Sequence, residues 1–392
     1  MLLNPQASLL SCPPFQEEST CAVVLFGGSY GGMLAGWHRF KYPHLTSGAL
    51  ACGAPVDLYP GEGKQELFYE ATLHDFRKYG ARAGFPLCAD TVEAALAAVE
   101  TLDDDLPLLT RTFHTCRPLA AGPDGAGVEK LLFFIKGALA TMACVDYPFA
   151  ADFITPMPAS PVNVACARVA AAAGPAGPNA SAATLARALQ AGVSVFTNYT
   201  GIVPCHNVSE ELVGHLPRPP SHGVRGRRPN NANAVGVGDI AYDDIVRPWN
   251  YQACTELILE PLTTDGSGFY TESDAQVAEV AANCRKQFGG VSVRPEWMVR
   301  SFGTGAQLAR ATTNIVFSDG EKDPWRVGSV PANASALSRD GSVVHILLAD
   351  SAHHEDLRFS RPEDPPSVAA AKALEREHIA RWIAGWGKPP LP

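Results

Sequence analysis

Residues 22–41 read AVVLFGGSYGGMLAGWHRFK. An apolar run from Ala22 to Phe26 meets Gly27, Gly28, Ser29, Tyr30, Gly31 and Gly32, and a helical pattern follows at once. No other stretch restricts the fold as strongly. A strand that must turn directly into a helix drives the residue at the corner into strained backbone angles, and small neighbours remove the Cβ clashes of so sharp a reversal. Gly27-x-Ser29-x-Gly31 therefore fits the G-x-S-x-G elbow, which lifts a serine hydroxyl clear of a sheet. The same turn puts the Tyr30 N–H at a helix N-terminus, where it can donate to an oxyanion. A phosphate-holding turn is the competing reading. It is disfavoured because G-x-G-x-x-G is not met and no Lys-Ser/Thr follows.

A serine hydroxyl is a poor nucleophile unless a base takes its proton and an acid orients that base. In chains with this elbow the order is Ser, acid, His, with the last two on loops after late strands. Asp323 lies in SDGEKDPW after one apolar run, and His353 and His354 lie in SAHHEDL after the next. Asp319 is a rival acid nearer the strand end, and spacing alone does not separate the two. His345 falls within a strand pattern and reads as a core or surface residue.

Around these motifs the chain reads as α/β. Residues 22–56 form a β-α-β pattern, and parallel character returns from Ala311 with TNIVFSDG and SVVHILLAD. A closing helix follows, with Asp364 as expected N-cap and Pro365 just inside. Val368, Ala371, Ile379, Trp382, Ile383 and Trp386 share one face of it, which Glu375 interrupts. Between the two halves lie helical segments at 91–102, 128–143 and 181–192, Pro-rich connectors and a Gly/Pro/Asn-rich loop at 214–238. The expected architecture is an α/β core, residues 1–56 and 301–392, split by a helical insertion, residues 57–300.

The 392 residues are 46% hydrophobic and 18% charged, with a net charge of −9, which disfavours wholesale disorder. The only basic cluster, RGRRP at 225–229, sits in the long loop, so no nucleic-acid partner is expected. No run approaches the ~18 apolar residues of a membrane span. Ten cysteines occur, none in a C-x-x-C pair, so neither a metal nor a cofactor is expected. Together with sequons at Asn179, Asn198, Asn207 and Asn333 they indicate an oxidising, glycosylating compartment. Residues 1–20, however, lack the basic and apolar regions of a signal peptide.

GGSYGGMLAGWHRFKYPH, DYPFAADFITPMPASPV (146–162), NYQACTE (250–256), TNIVFSDGEKDPW and SAHHEDLR resemble signature segments of the prolylcarboxypeptidase and dipeptidyl peptidase II family of lysosomal serine peptidases. The resemblance covers essentially the whole chain. It implies an α/β-hydrolase core, truncated at its N-terminus, with the insertion as a large helical cap between core strands, and it implies Ser29 as nucleophile, Asp323 as orienting acid and His353 as base. It also implies proline-containing peptide substrates, in a lysosomal, vacuolar or secreted setting, with a homodimer left open. A proline ring needs a flat apolar slot; Met33, Trp325 and Leu259 are candidates to line it, and plain core packing is the alternative for Met33 and Trp325. Cys88 should pair with Cys166, Cys116 with Cys205 and Cys254 with Cys284. Cys12, Cys21, Cys52 and Cys144 should be unpaired.

The family carries a long segment before the elbow strand, with further strands and a second oxyanion donor. Almost nothing precedes Ala22 here, so the chain reads as a fragment or a truncated gene model. Its first strand would then be an exposed apolar edge. Losing one oxyanion donor typically costs ~10²–10³ in rate. SDG stands where the family usually has SNG, and Arg326 stands in place of a glycine-rich run, where it could narrow the slot or bind a carboxylate. The dipeptidyl branch places an acid before YQACTE, to grip a terminal ammonium, and here the residue is the neutral Asn250. That favours Pro-X carboxypeptidase chemistry, although Asp243, Asp244 or Glu256 could substitute and RPEDPPSVAAAKALE looks more like the dipeptidyl branch. An esterase, or an inactive fragment serving as an interaction module, are the readings of other classes.

Overall fold

Apolar runs with little polar alternation pair as parallel strands, the central ones covered on both faces. The four that do so here are seen in a computed structural model, which describes residues 21–58, 65–121, 127–206, 208, 248–257 and 274–386. The chain divides into two compact units, Met1–Leu58 with Val299–Pro392, and Tyr59–Met298.

The first unit is α/β. Strand β1 (Val24–Gly28) leads through Ser29 into helix α1 (Tyr30–Lys41), and β2 (Gly48–Cys52) follows. In the second unit come α2 (Gln65–Arg82), α3 (Cys88–Thr101), α4 (Leu106–Thr112), α5 (Val128–Cys144), the two-residue strands β3 (Ala151–Asp152) and β4 (Pro156–Met157), α6 (Pro161–Ala173), α7 (Ala182–Thr197) and α8 (Asp274–Phe288). The chain closes with α9 (Trp297–Phe302), α10 (Gly305–Ala311), β5 (Ile315–Gly320), α11 (Ala334–Leu337), β6 (Val343–Leu348) and α12 (Pro366–Gly385).

The sheet runs β1-β2-β5-β6, all parallel, with Gly28 opposite Cys52, Cys52 opposite Ser318 and Ser318 opposite Ile346. All residues of β2 and β5 are buried. Among the described strands β1 is an edge, with Phe26 57% exposed. Arg39 fastens α1 beneath the sheet by donating to the Thr313 carbonyl at 2.9 Å and to the Thr46 carbonyl. Trp37 stacks on Phe302 with centroids 4.1 Å apart.

Two expectations for α12 are corrected. Its N-cap is Pro365, and Pro366 opens the helix. Asp364 instead accepts the Arg361 N–H at 2.9 Å, closing the turn ahead of the helix. Val368, Ala371 and Trp382 are buried, but Ile383 is exposed, and Glu375 and His378 take its place on the buried face. β1 also begins two residues later than expected and runs into the glycines, because its pairing with β2 continues to Gly28.

The second unit is helical. Tyr69, Phe76, Phe113, Leu131, Ile135, Leu139 and Tyr147 are fully buried in it, and the Asp146 carboxylate accepts the Val162 N–H at the start of α6, at 3.0 Å. Disulfides Cys88–Cys166, Cys116–Cys205 and Cys254–Cys284 tie α3 to α6, flank the Thr115–His206 bridge, and tie the π-helical turn Ala253–Leu257 to α8. Cys52 and Cys144 remain thiols. Cys21, expected to be unpaired, is disulfide-bonded; Cys12 lies outside the described residues. Among the described residues no helix is long and apolar enough to cross a membrane.

Candidate active site

Ser29 sits at the corner between β1 and α1 with φ 58° and ψ −128°. A non-glycine residue in that region costs on the order of 1–3 kcal/mol and persists only where its surroundings over-determine it. Here the Ser29 N–H donates to the Cys52 carbonyl at 2.8 Å, and the Ser29 carbonyl accepts the Met33 N–H at 3.0 Å. The serine thus closes the sheet on one side and opens the helix on the other. Gly27 is obligatory, because a Cβ there would lie 1.9 Å from the Gly31 carbonyl oxygen. Tyr30 is the first helical residue, which places its N–H in the first turn, where backbone donors have no partner within the helix.

Asp323 and His353 come from loops that follow β5 and β6. Backbone bonds lace the two loops together: the Glu321 N–H donates to the Leu348 carbonyl at 2.9 Å and the Lys322 N–H to the Ser351 carbonyl at 2.9 Å. The Asp350 N–H adds a bond to the Glu321 carboxylate at 3.0 Å. Glu355 folds back to accept from the Ser351 hydroxyl and the Ala352 N–H, both at 3.0 Å. The result is a 2.5 Å bond between His353 Nδ1 and Asp323 Oδ2, with both residues buried. The other Asp323 oxygen accepts the Trp325 N–H at 3.0 Å, capping the short helix Pro324–Gly328. Such second bonds fix a carboxylate's rotation and so aim its free oxygen.

The sheet brings this pair to the serine's neighbours. Gly53, next after the Cys52 that holds Ser29, lies against the His353 ring; with φ +55° and only 2.8 Å between its virtual Cβ and Nδ1, it must be glycine. Gly28, on the other side of Ser29, faces the His354 ring, 3.0 Å from its virtual Cβ. The His354 ring lies tilted against that of His353, with centroids 4.1 Å apart, and His354 sits at φ 38°. Burial, with His353 and Arg358 adding to it, drives its pKa down to about 2, so it is neutral at working pH.

Asp319, the rival acid, points elsewhere: its carboxylate bonds His345 Nε2 at 2.9 Å, across β5 and β6. Burial pushes its pKa up, and the His345 contact opposes that. Met33 is fully buried, and Trp325 and Arg326 are half-buried. Asn250 is buried within the second unit. Leu259, Asp243 and Asp244 lie outside the described residues, as do Asn207 and the RGRRP cluster. Asn179 and Asn333 are exposed, whereas the Asn198 amide is engaged with the Val203 backbone at 3.1 and 2.9 Å. Sequence reading missed Gly53 and Glu355, which position the histidine. Gly53 follows an apolar strand in ACGAP, the kind of context that marks a close backbone approach.

The serine carboxypeptidase S28 family pattern matches residues 13–375. The chain belongs to this family. Within the S28 family's wider circle of relatives, lysosomal Pro-X carboxypeptidase of Homo sapiens is 32% identical over 364 residues, covering 92% of this chain and 63% of the relative. Prolyl carboxy peptidase like protein 5 of Caenorhabditis elegans is 29% identical, covering 92% of this chain and 66% of the relative. Thymus-specific serine protease of Homo sapiens is 26% identical, covering 95% and 65% respectively. The chain therefore spans a little under two thirds of the length of these curated relatives.

Proposed function

We propose that this S28 chain is a serine exopeptidase cleaving peptides beside proline, with Ser29 as nucleophile, His353 as base and Asp323 as the acid that orients it. The observation that carries the reading is the buried His353–Asp323 pair, on interlaced loops beside a serine held at φ 58°. An α/β-hydrolase core of residues 1–56 and 301–392, with residues 57–300 as its cap, belongs to the same reading.

With Asp323 accepting from Nδ1–H, the imidazole keeps its Nε2 lone pair for the Ser29 proton. Ser29 Oγ bonds to the scissile carbonyl carbon while His353 Nε2 takes the hydroxyl proton. The same proton then goes to the leaving nitrogen as the C–N bond breaks, which leaves an ester on Ser29. A water molecule, deprotonated by Nε2, attacks the ester carbonyl; the returning proton restores the serine and releases the acid. The Tyr30 N–H donates to the transient oxyanion. Trp325 with Met33 is proposed to shape the proline slot.

Pro-X carboxypeptidase chemistry is the first choice. Asn250 supplies no carboxylate for a terminal ammonium, and several relatives bear that name. The lysosomal names of those relatives, together with the disulfides among the described residues, favour a lysosomal or secreted setting. Two peptides decide the specificity: one N-blocked with proline penultimate at its free C-terminus, one with Xaa-Pro at a free N-terminus. Release of the C-terminal residue from the first is expected. Release of a dipeptide from the second would point to dipeptidyl peptidase activity, and turnover of simple esters alone to an esterase. Cleavage of neither, by well-folded protein, would refute the reading.

A further inference from the structure

The buried face of α12 contains one residue that the apolar pattern does not explain. Glu375 is 5% exposed, and it meets Asp356, which is 6% exposed and lies three residues after His353. Cys52, 1% exposed, completes the group. The Cys52 sulfur and one carboxylate oxygen from each acid lie within 4.8 Å of one another. Among the described residues neither Glu375 Oε1 nor Asp356 Oδ2 meets a hydrogen-bond donor. Two buried carboxylates in contact would repel, and an unsatisfied buried oxygen is costly. One proton resolves both costs: as an acid, Glu375 donates O–H to the Asp356 carboxylate.

We propose that Glu375 and Asp356 share one proton, and that this acid pair clamps α12 to the segment that carries His353 and His354, so that the segment is held in place only while the pair stays singly protonated.

The location gives the clamp its reach. Asp356 belongs to the short helix Glu355–Leu357, whose N-cap is His354. One turn earlier on α12, Lys372 donates to the Arg358 carbonyl at 2.7 Å, so the helix grips the same segment twice. Cys52 carries the carbonyl that holds the Ser29 N–H. The surroundings oppose ionisation. From β2 comes the Cys52 thiol, itself pushed well up by burial and by Asp356, and from β5 comes the Ser318 hydroxyl beside it. Cys52 itself belongs to an apolar cluster with Leu50, Val316 and Trp382, against which Ile346 packs. Lys372 and Arg376, on α12 itself, are the cations that oppose the shift. Burial first, and then Asp356, push the Glu375 pKa up to about 8. A raised folded-state value means that stability is fully present below the ordinary 4.5 and is lost as pH rises towards about 8. The clamp thus favours an acidic setting.

Thermal melts of the full chain against pH test it, and they need no catalysis, so this inference and the proposed function fail separately. The wild-type melting temperature should fall from about pH 6.5 to about pH 8.5, and Glu375→Gln, which keeps a donor towards Asp356 but cannot ionise, should remove at least half of that fall. An unchanged fall in Glu375→Gln overturns the proposal. So does a stoichiometric divalent cation in the purified protein whose chelation abolishes the pH dependence. If the variant does not fold, hydrogen exchange of the wild-type chain, corrected for intrinsic rates, decides. Amides of α12 should lose protection before those of β2 and β5 as pH approaches about 8. Protection retained together in all three overturns the clamp.

Discussion

At Ser29 the backbone is strained so that one hydroxyl stands at the end of a strand, and the residues that carry the strain are its neighbours. Gly27 is the sharpest test of this. Gly27→Ala should lower stability by on the order of 3 kcal/mol, read from the shift in urea midpoint, because the Gly31 carbonyl cannot withdraw without unwinding the first turn of α1. The acids give a second test. Asp323→Asn should reduce kcat by about 10⁴-fold while leaving the fold intact, since the amide selects the wrong imidazole tautomer. Asp319→Asn should cost stability through its lost bond to His345 and leave kcat within about threefold of wild type. A reversed pattern would move the orienting role to Asp319. The choice between these two acids was not legible in the sequence. In sequence both lie close to the end of one strand pattern, and only the pairing of β5 with β6 shows that Asp319 is still in the strand and that its carboxylate meets His345.

At the scale of elements, apolar patterning located β2, β5, β6 and α5 to within a few residues, because burial on both faces leaves little polar interruption. It failed where a polar residue is buried for a specific partner. Glu375 and His378 on α12 look like breaks in a stripe until Asp356 and Trp382 are seen beside them. Disulfide pairing came from likeness to a family, since spacing alone does not fix connectivity. Removing Cys88 and Cys166 together should lower stability by about 2–5 kcal/mol, measured by urea unfolding, because the bond closes a long loop between α3 and α6. Phe26 on β1, the edge among the described strands, makes a separate prediction. Phe26→Lys should reduce light scattering on concentration without lowering the melting temperature, since the ring is mostly in water already.

For the whole molecule, buried acids and buried histidines set opposite limits on pH. Glu375, raised to about 8, loses stability as pH climbs above its ordinary 4.5. His354, lowered to about 2, loses it as pH falls below its ordinary 6.5. Between those ordinary values the two effects offset, so the melting temperature should be nearly flat from about 4.5 to about 6.5 and fall on either side. Glu375→Gln should remove the alkaline fall and leave the acid one. A monotonic profile across this range would refute the balance. The central claim, that a folded arrangement activates one particular serine, is tested most directly by a fluorophosphonate probe with peptide mapping. The account predicts a single adduct on Ser29, abolished in Ser29→Ala and strongly slowed in His353→Ala, with melting temperatures near wild type. An adduct at another serine, or none in well-folded protein, would contradict it.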